Sequence, residues 1–289
     1  MSEKIKIWPD TKGINSFLQP YLLNSPEACP AVMICPGGAY EIVCSPSEGR
    51  PVAEKFNELG MHAFVLTYRV APHTFPAAQQ DAMRALQLIR ANAKEWNIAP
   101  NRIGVCGFSA GGHLAACLGT TLVENIHAVA GDSLDNYSAR PDFIISGQGA
   151  LAATPATDLF TFECLLGHPP TEDEKVKYSP CNWVTENTPP SFIWHTAADQ
   201  VIDCNCSVLF AQAAIRHKVP CELHIFPRGD HGIILGLDTP DVSQWPELAR
   251  KFIAVQTGEI TTPPEKYTHR HQCKISGSYP GGPREEEHS

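Results

Sequence analysis

Arg102-Ile103-Gly104-Val105-Cys106-Gly107-Phe108-Ser109-Ala110-Gly111-Gly112-His113-Leu114-Ala115 is the stretch from which the fold of this chain can be read. Its first five residues are short, apolar and β-prone. Its last residues, from Gly112 to Ala115 and on to Leu118, are small and helix-compatible. Between them, Gly107 to Gly111 reads Gly-x-Ser-x-Gly. A serine on a sharp strand-to-helix turn has its hydroxyl pushed above the sheet edge. Glycines two before and two after it let the backbone turn without a Cβ clash. The helix that follows aims its N-terminal amides at the same spot, where an oxyanion would form. The pentapeptide alone also fits an ordinary glycine-rich turn. Its strand-before, helix-after context, and three further features in a set chain order, distinguish the two.

The first feature lies upstream. Ala31 to Cys35 reads as a buried strand, and Pro36-Gly37-Gly38-Ala39-Tyr40 follows at once. Such a loop can turn backbone N–H groups toward a tetrahedral intermediate. The expected donors are the amides of Gly38, Ala39 and Ala110, with Tyr40 lining the pocket as a substrate-binding residue. The second feature is an acid. Ser191 to His195 is strand-like, and Asp199 falls on the loop beyond it, where catalytic groups gather in open α/β sheets. Asp203 is its rival, placed to cap the next helix. The third is a histidine. Cys221 to Phe226 alternates as a strand, and His231 follows in the glycine-flanked loop Pro227 to Gly232. Ser109, Asp199 and His231 are therefore the expected catalytic residues. His113, His195 and His224 read as structural histidines.

These pieces, taken in order, resemble a known family. The chain is similar to the α/β-hydrolase esterases of the group that holds bacterial acetyl xylan esterases and related carbohydrate esterases, itself close to the hormone-sensitive-lipase-like enzymes. The resembling stretches are Cys35 to Tyr40, Glu48 to Ala53 with Phe56-Asn57, and Ala63 to Val70. They continue with Asn97 to Ala115, Trp194 to Asp199 and Leu223 to Gly232. Pro36 stands at the histidine position of the family's His-Gly-Gly-Gly loop, and Ala39 at its last glycine. The resemblance implies hydrolysis of small acyl esters, often acetyl groups on plant-derived sugars such as xylo-oligosaccharides, with no cofactor. Two departures bear on specificity. Ala39 adds a Cβ where the family has glycine, and Phe143-Ile144-Ile145 runs into Ser146 to Ala153 in place of an aromatic-proline strand end.

Around these motifs the chain alternates strands and helices. Glu48 to Leu59 carries Val52, Phe56 and Leu59 at helical spacing, and Gly60 stops it. His62 to Thr67 is a strand. Gln79 to Trp96 reads as the clearest helix, with Met83, Leu86, Ile89, Ala93 and Trp96 on one face. Residues 204 to 218 and 242 to 256 read as the last two helices. This predicts an α/β-hydrolase fold, with a mostly parallel central sheet, right-handed crossovers and flanking helices. Residues 1–256 are read as one catalytic domain. Residues 150–188, rich in Pro, Thr and charge, are either a small cap that sets specificity or a surface excursion. The tail, 257–289, lacks apolar periodicity and is expected either to be disordered or to dock on a neighbouring subunit of a homo-oligomer.

The chain has 289 residues, is 43% hydrophobic and carries a formal net charge of −9. That length is ample for one large core. The acidic balance argues against nucleic acid as a partner. No stretch is long and apolar enough to span a membrane, and the N-terminal Met1 to Trp8 alternates without a signal-peptide core. The 11 cysteines are spread with no Cys-x-x-Cys pair, as expected of free thiols in a reducing, cytoplasmic compartment. No metal site is expected. Cys204 and Cys206 have the wrong spacing, and nothing completes a shell around His269, His271 and Cys273. The expected function is a serine esterase. Its rivals are a broad short-chain carboxylesterase or lipase, a serine exopeptidase, and a binding protein on an inactive hydrolase scaffold.

Overall fold

The computed structural model describes residues 3–9, 14–128, 130–157 and 159–260. Eight strands form one sheet. They are β1 (Ile5–Lys6), β2 (Phe17–Tyr21), β3 (Cys29–Cys35), β4 (His62–Thr67), β5 (Ile98–Phe108), β6 (Ile144–Gly147), β7 (Ser191–Thr196) and β8 (Cys221–Phe226). Their order across the sheet is β1-β2-β4-β3-β5-β6-β7-β8. From β4 to β8 every neighbouring pair is parallel, while β2 joins both β4 and β1 antiparallel. The mostly parallel sheet expected from the alternation is therefore present. The sequence reading did not anticipate the antiparallel edge.

The near-continuous apolar runs of the central strands follow from their burial on both faces. Along β3, Ala31, Met33 and Cys35 enter one core, and Val32 and Ile34 enter the other. In β4, Phe64 and Leu66 go one way, and Ala63 and Val65 the other. One face is covered by α1 (Arg50–Glu58) and α7 (Trp245–Gln256), through Val52, Phe56, Trp245 and Ile253. The other is covered by α2 (Ala77–Ala91), α3 (Ala110–Gly119) and α6 (Asn205–Arg216), through Leu86, Leu114 and Phe210. Asp81 of α2 is fully buried. It accepts hydrogen bonds from Trp8 Nε1 at 2.6 Å, Ser16 Oγ at 2.6 Å and the Arg69 amide at 2.7 Å, tying the N-terminal segment and the end of β4 to this helix.

Helix α2 ends at Ala91, not at Trp96. Asn92 caps it and a turn follows, yet Trp96 still packs against Phe64, with ring centroids 5.3 Å apart. Residues 150–188 contain two short helices, α4 (Phe160–Leu166) and α5 (Glu172–Lys177). The latter is held by a capping box between Thr171 and Glu174. Most of the tail, 261–289, lies outside the described residues, and with it His269, His271 and Cys273. The ten cysteines among the described residues are all free thiols. No helix among the described residues is long and apolar enough to cross a membrane.

The turn from β5 into α3 fixes the rest. A Cβ on Gly107 would sit 2.0 Å from the Gly111 carbonyl oxygen, and one on Gly111 would sit 1.9 Å from the Cys35 carbonyl oxygen. Both obstacles are backbone, so neither can swing aside. Gly111→Ala is expected to cost roughly 3 kcal/mol through overpacking. The melting temperature would then fall by about 6–12 °C, as read by circular dichroism. An unchanged melting temperature would refute this contact between α3 and the end of β3.

Candidate active site

All the predicted site residues except Tyr40 meet above the C-terminal ends of β3, β5, β7 and β8. Ser109, between β5 and α3, holds φ 53° and ψ −121°, a left-handed-side conformation that a non-glycine residue rarely adopts. The packing of Gly107 and Gly111 over-determines that conformation, so the hydroxyl stands clear of the sheet. Ser109 Oγ lies 2.9 Å from His231 Nε2, and His231 Nδ1 lies 2.8 Å from Asp199 Oδ2. A carboxylate can only accept. Nδ1 therefore carries the ring proton and Nε2 is left to accept from the serine. Asp203, the rival acid, instead accepts from the Asn205 amide at 3.0 Å at the start of α6 and from Thr154 Oγ1 at 2.9 Å.

Asp199 is held from several sides. Its Oδ1 accepts from the amides of Val201 and Ile202, each at 2.9 Å. Its Oδ2 lies 3.0 Å from Gln148 Nε2 and 3.2 Å from His195 Nε2, in addition to His231. Burial opposes its ionisation. Hydrogen bonds from His195, His231 and the Ile202 amide outweigh that and hold the carboxyl well below the usual range. His195 is packed in the core, as expected of a structural histidine. Its Nε2 faces two acceptors, Asp199 and the Ile202 carbonyl at 3.0 Å, while Nδ1 pairs with Ser207 Oγ at 2.8 Å. That fixes the proton on Nε2 and makes His195 a second brace on Asp199.

Sequence reasoning missed two residues. Gln148, just past β6, is buried and holds φ 47°. Its Nε2 lies 2.9–3.0 Å from Thr196 Oγ1, Asp199 Oδ2 and the Asp230 carbonyl, three acceptors that share its two hydrogens. Its Oε1 accepts from the amides of Gly232 and Ile233 at 3.0 and 3.3 Å. One amide thus joins the end of β6 to the acid loop and to the histidine loop. The available signal was a lone polar residue between two glycines, Gly147 and Gly149, at a strand's C-terminal end. Glu48 is the other. It is buried beside the site, and its Oε2 accepts from the Gly37 amide at 2.5 Å. Burial raises its pKa, against the Gly37 bond and the nearby His231.

In the loop after β3, Gly38 holds φ 122°, and a Cβ there would meet the Ile42 carbonyl oxygen at 2.4 Å. Ala39 holds φ 54° and still lines the pocket with its extra Cβ. The amides of Gly38 and Ala39 make no backbone hydrogen bond among the described residues. The Ala110 amide belongs to the first turn of α3, whose donors have no partner within the helix. All three residues border Ser109. Tyr40 is a correction. It does not line the pocket. Its side chain is 1% exposed and turns into the core, where its hydroxyl meets His113 Nδ1 at 2.8 Å and its ring packs edge-on against Tyr68. The left-handed turn through Gly38, Ala39 and Tyr40 points it inward, away from the opening. His113 is the packing histidine expected. Its Nε2 reaches the Tyr178 carbonyl at 2.8 Å, and burial lowers its pKa to about 4.

The open pocket over Ser109 has a volume of about 300 Å³, and Ala39, Ile42, Glu48, Phe160, Val201 and His231 are among its walls. Residues 150–188 thus reach the site through Phe160 and Thr161. Larger hollows of about 400 and 390 Å³ lie elsewhere, under the C-terminal end of α3 and beside Trp8, and contain none of these residues.

The depressed pKa of Asp199 has a consequence for stability. An unfolded aspartate titrates near about 3.9. A group lowered below that on folding contributes stability above about pH 4, which is lost as pH falls toward its folded value. Asp199→Asn is therefore expected to flatten the fall in melting temperature between about pH 4 and pH 2. A variant whose melting temperature falls with pH in parallel with the wild type would show that Asp199 is not a source of acid sensitivity.

Residues 21–214 match the BD-FAE family. Endo-1,4-beta-xylanase B of Butyrivibrio fibrisolvens is 35% identical over 75% of this chain and 34% of its own length. Acetylxylan esterase of Xylanibacter ruminicola is 31% identical over 71% of this chain and 41% of its own. The chain thus spans a third to two fifths of the length of these curated relatives. The crystal structure of an acetyl ester-xyloside bifunctional hydrolase from Caldicellulosiruptor lactoaceticus superposes with a TM-score of 0.80 at 38% identity, over 86% of this chain and 94% of the other. The chain belongs to the BD-FAE family and has the α/β-hydrolase fold of the acetylxylan esterases and carboxylesterases it resembles.

Proposed function

We propose that this protein is a serine esterase that removes small acyl groups, acetyl above all, from plant-derived oligosaccharides such as xylo-oligosaccharides. The observation that carries the proposal is the chain of contacts from Ser109 Oγ to His231 to Asp199, at 2.9 and 2.8 Å, opening into a pocket walled by Gly38 and Ala39. The similarity to acetylxylan esterase and to the acetyl ester-xyloside hydrolase supports the substrate class.

The chemistry follows from the geometry. Ser109 Oγ attacks the ester carbonyl carbon while its proton passes to His231 Nε2. The carbonyl oxygen takes the negative charge, and the amides of Gly38, Ala39 and Ala110 are the donors that would stabilise it. Asp199 stays ionised and stabilises the imidazolium. The tetrahedral intermediate collapses, and the alcohol oxygen leaves with the proton from His231. Water then gives a proton to His231 and attacks the acyl-enzyme, releasing the carboxylic acid and restoring Ser109. In the same reading Glu48 and Gln148 are positioning residues. The first holds the amide of Gly37 and so the loop that carries the donors. The second holds the acid and histidine loops in register. Residues 150–188 act as a cap through Phe160 and Thr161, over a catalytic domain of residues 1–256. The unpaired cysteines support action in a reducing, cytoplasmic setting on imported oligosaccharides; activity confined to the culture medium would count against that.

A broader carboxylesterase is the second reading. It is favoured by the apolar rim formed by Ile42, Phe160 and Val201. Release of acetate from acetylated xylo-oligosaccharides, measured beside p-nitrophenyl acetate, butyrate and octanoate, separates the two. Activity on the sugars that falls steeply beyond the acetyl ester is expected; a preference for octanoate would favour the broader enzyme. Ser109→Ala is expected to lower kcat by about 10⁴-fold or more. Retained turnover would remove Ser109 as nucleophile. Gln148→Leu keeps the size of the side chain but strands two amides and a carbonyl. It is expected to lower kcat on p-nitrophenyl acetate by roughly 10–100-fold with little change in KM. A wild-type kcat would refute its positioning role.

A further inference from the structure

Two hollows share Phe160 as a lining residue. One is the pocket over Ser109. The other, about 290 Å³, is lined by Ala71, Pro72, Thr74, Glu163 and His168 together with the shared Phe160. Phe160 opens α4 and is 42% exposed. The second hollow is built into the fold by backbone bonds. The Phe75 amide donates to the Leu165 carbonyl at 2.7 Å, and the Ala71 amide donates to the Tyr40 carbonyl at 2.7 Å. The first bond ties the loop after β4 to α4. The second ties it to the residue that ends the donor loop. The hollow therefore stands in fixed relation to Ser109.

Its chemistry is mixed. The half-exposed aromatic ring of Phe160 is part of its lining. Thr74 and Glu163 supply polar groups, while His168 is engaged by the Pro169 carbonyl and by Glu174; the Glu163 carboxylate makes no hydrogen bond or ion pair among the described residues. Such a lining is poor for a long acyl chain, which seeks a dry apolar slot. It is good for a pyranose ring. The negative face of an aromatic ring attracts the polarised C–H bonds of a sugar, and a carboxylate accepts strongly from hydroxyl donors. Each hollow alone sits at or below the lower end of the ~300–1,000 Å³ typical of small-molecule sites; with Phe160 common to both, the pair suits a ligand with a ring on each side of that residue.

We propose that the second hollow is a saccharide subsite. The sugar that carries the ester occupies the pocket over Ser109. The next sugar of the chain lies across Phe160, with Glu163 accepting from its hydroxyls. This inference rests on the acyl-esterase reading above and adds to it that the enzyme selects oligomers over the acetylated monosaccharide.

The test compares acetate release from monoacetylated xylose and monoacetylated xylobiose, with p-nitrophenyl acetate as a separate readout of the chemical step. Wild-type kcat/KM is expected to be about tenfold higher for the disaccharide, equivalent to about 1.4 kcal/mol. Phe160→Ala should bring that ratio close to one, and Phe160→Tyr should keep it. Glu163→Gln should lower it severalfold, mainly through KM. Equal kcat/KM for the two sugars in the wild type would overturn the subsite, as would a ratio that survives Phe160→Ala. A Phe160→Ala variant that loses octanoate turnover and keeps the sugar ratio would overturn it in favour of an acyl slot. Absence of Ser109-dependent turnover on p-nitrophenyl acetate would instead defeat the esterase reading, and the subsite with it.

Discussion

The backbone of α3 touches the backbone of β3, and everything at the site depends on that approach. With no room for a Cβ at Gly107 or Gly111, the first turn of the helix can sit against the Cys35 carbonyl. Ser109 is then forced into its strained turn, and the donor loop that begins at Pro36 is brought beside it. The glycines are needed here for closeness. Neither has a positive φ. Around this approach the positive φ values fall instead on Gly38, Ala39, Tyr40 and Ser109, in the loop after β3 and at the elbow itself. Strain at these residues persists because the packing beneath leaves them no alternative.

A second layer of order is polar. Asp199 collects five hydrogen-bond contacts from four directions: two backbone amides, the Gln148 amide and two histidines. A carboxylate this well satisfied can remain charged while buried, which is what an imidazolium partner requires. Gln148 repeats the device on the neutral side, with one planar group spanning three loops. Glu48 does the same for the donor loop. The loops that carry Asp199, His231 and Gly37 are thus held by hydrogen bonds to the side chains of Gln148 and Glu48.

Much of this was legible in the residues. The strands His62–Thr67 and Cys221–Phe226 have the bounds their sequence predicts, because an apolar run after Gly60 and an alternating stretch between Pro220 and Pro227 are both sharply punctuated. The order of elbow, acid and histidine loops placed the residues that meet. What escaped had physical reasons. Strand β2 contains Pro20 and pairs with a two-residue β1, so propensity argued against it. Helix α2 looked five residues too long, because its apolar stripe continues through a turn that packs Trp96 without helical geometry. Tyr40 follows a glycine-rich loop and looked exposed, but a left-handed backbone reverses which way its ring points. Gln148 and Glu48 act by hydrogen-bond geometry, which has no periodicity to read.

The bond between Ser109 and His231 joins residues 122 positions apart, across four parallel strands that pair only through long crossovers. Contacts of that separation are among the last that loop-closure entropy allows to form. A chain that has folded its elbow but not yet added β8 therefore holds a serine with no base beside it. The contacts from Ser109 to His231 to Asp199 are complete only with the closing edge of the sheet. A newly made or partly unfolded copy of this protein therefore lacks the Ser109–His231 contact, and the presence of that contact reports on the completeness of the whole sheet as well as on the placement of one side chain.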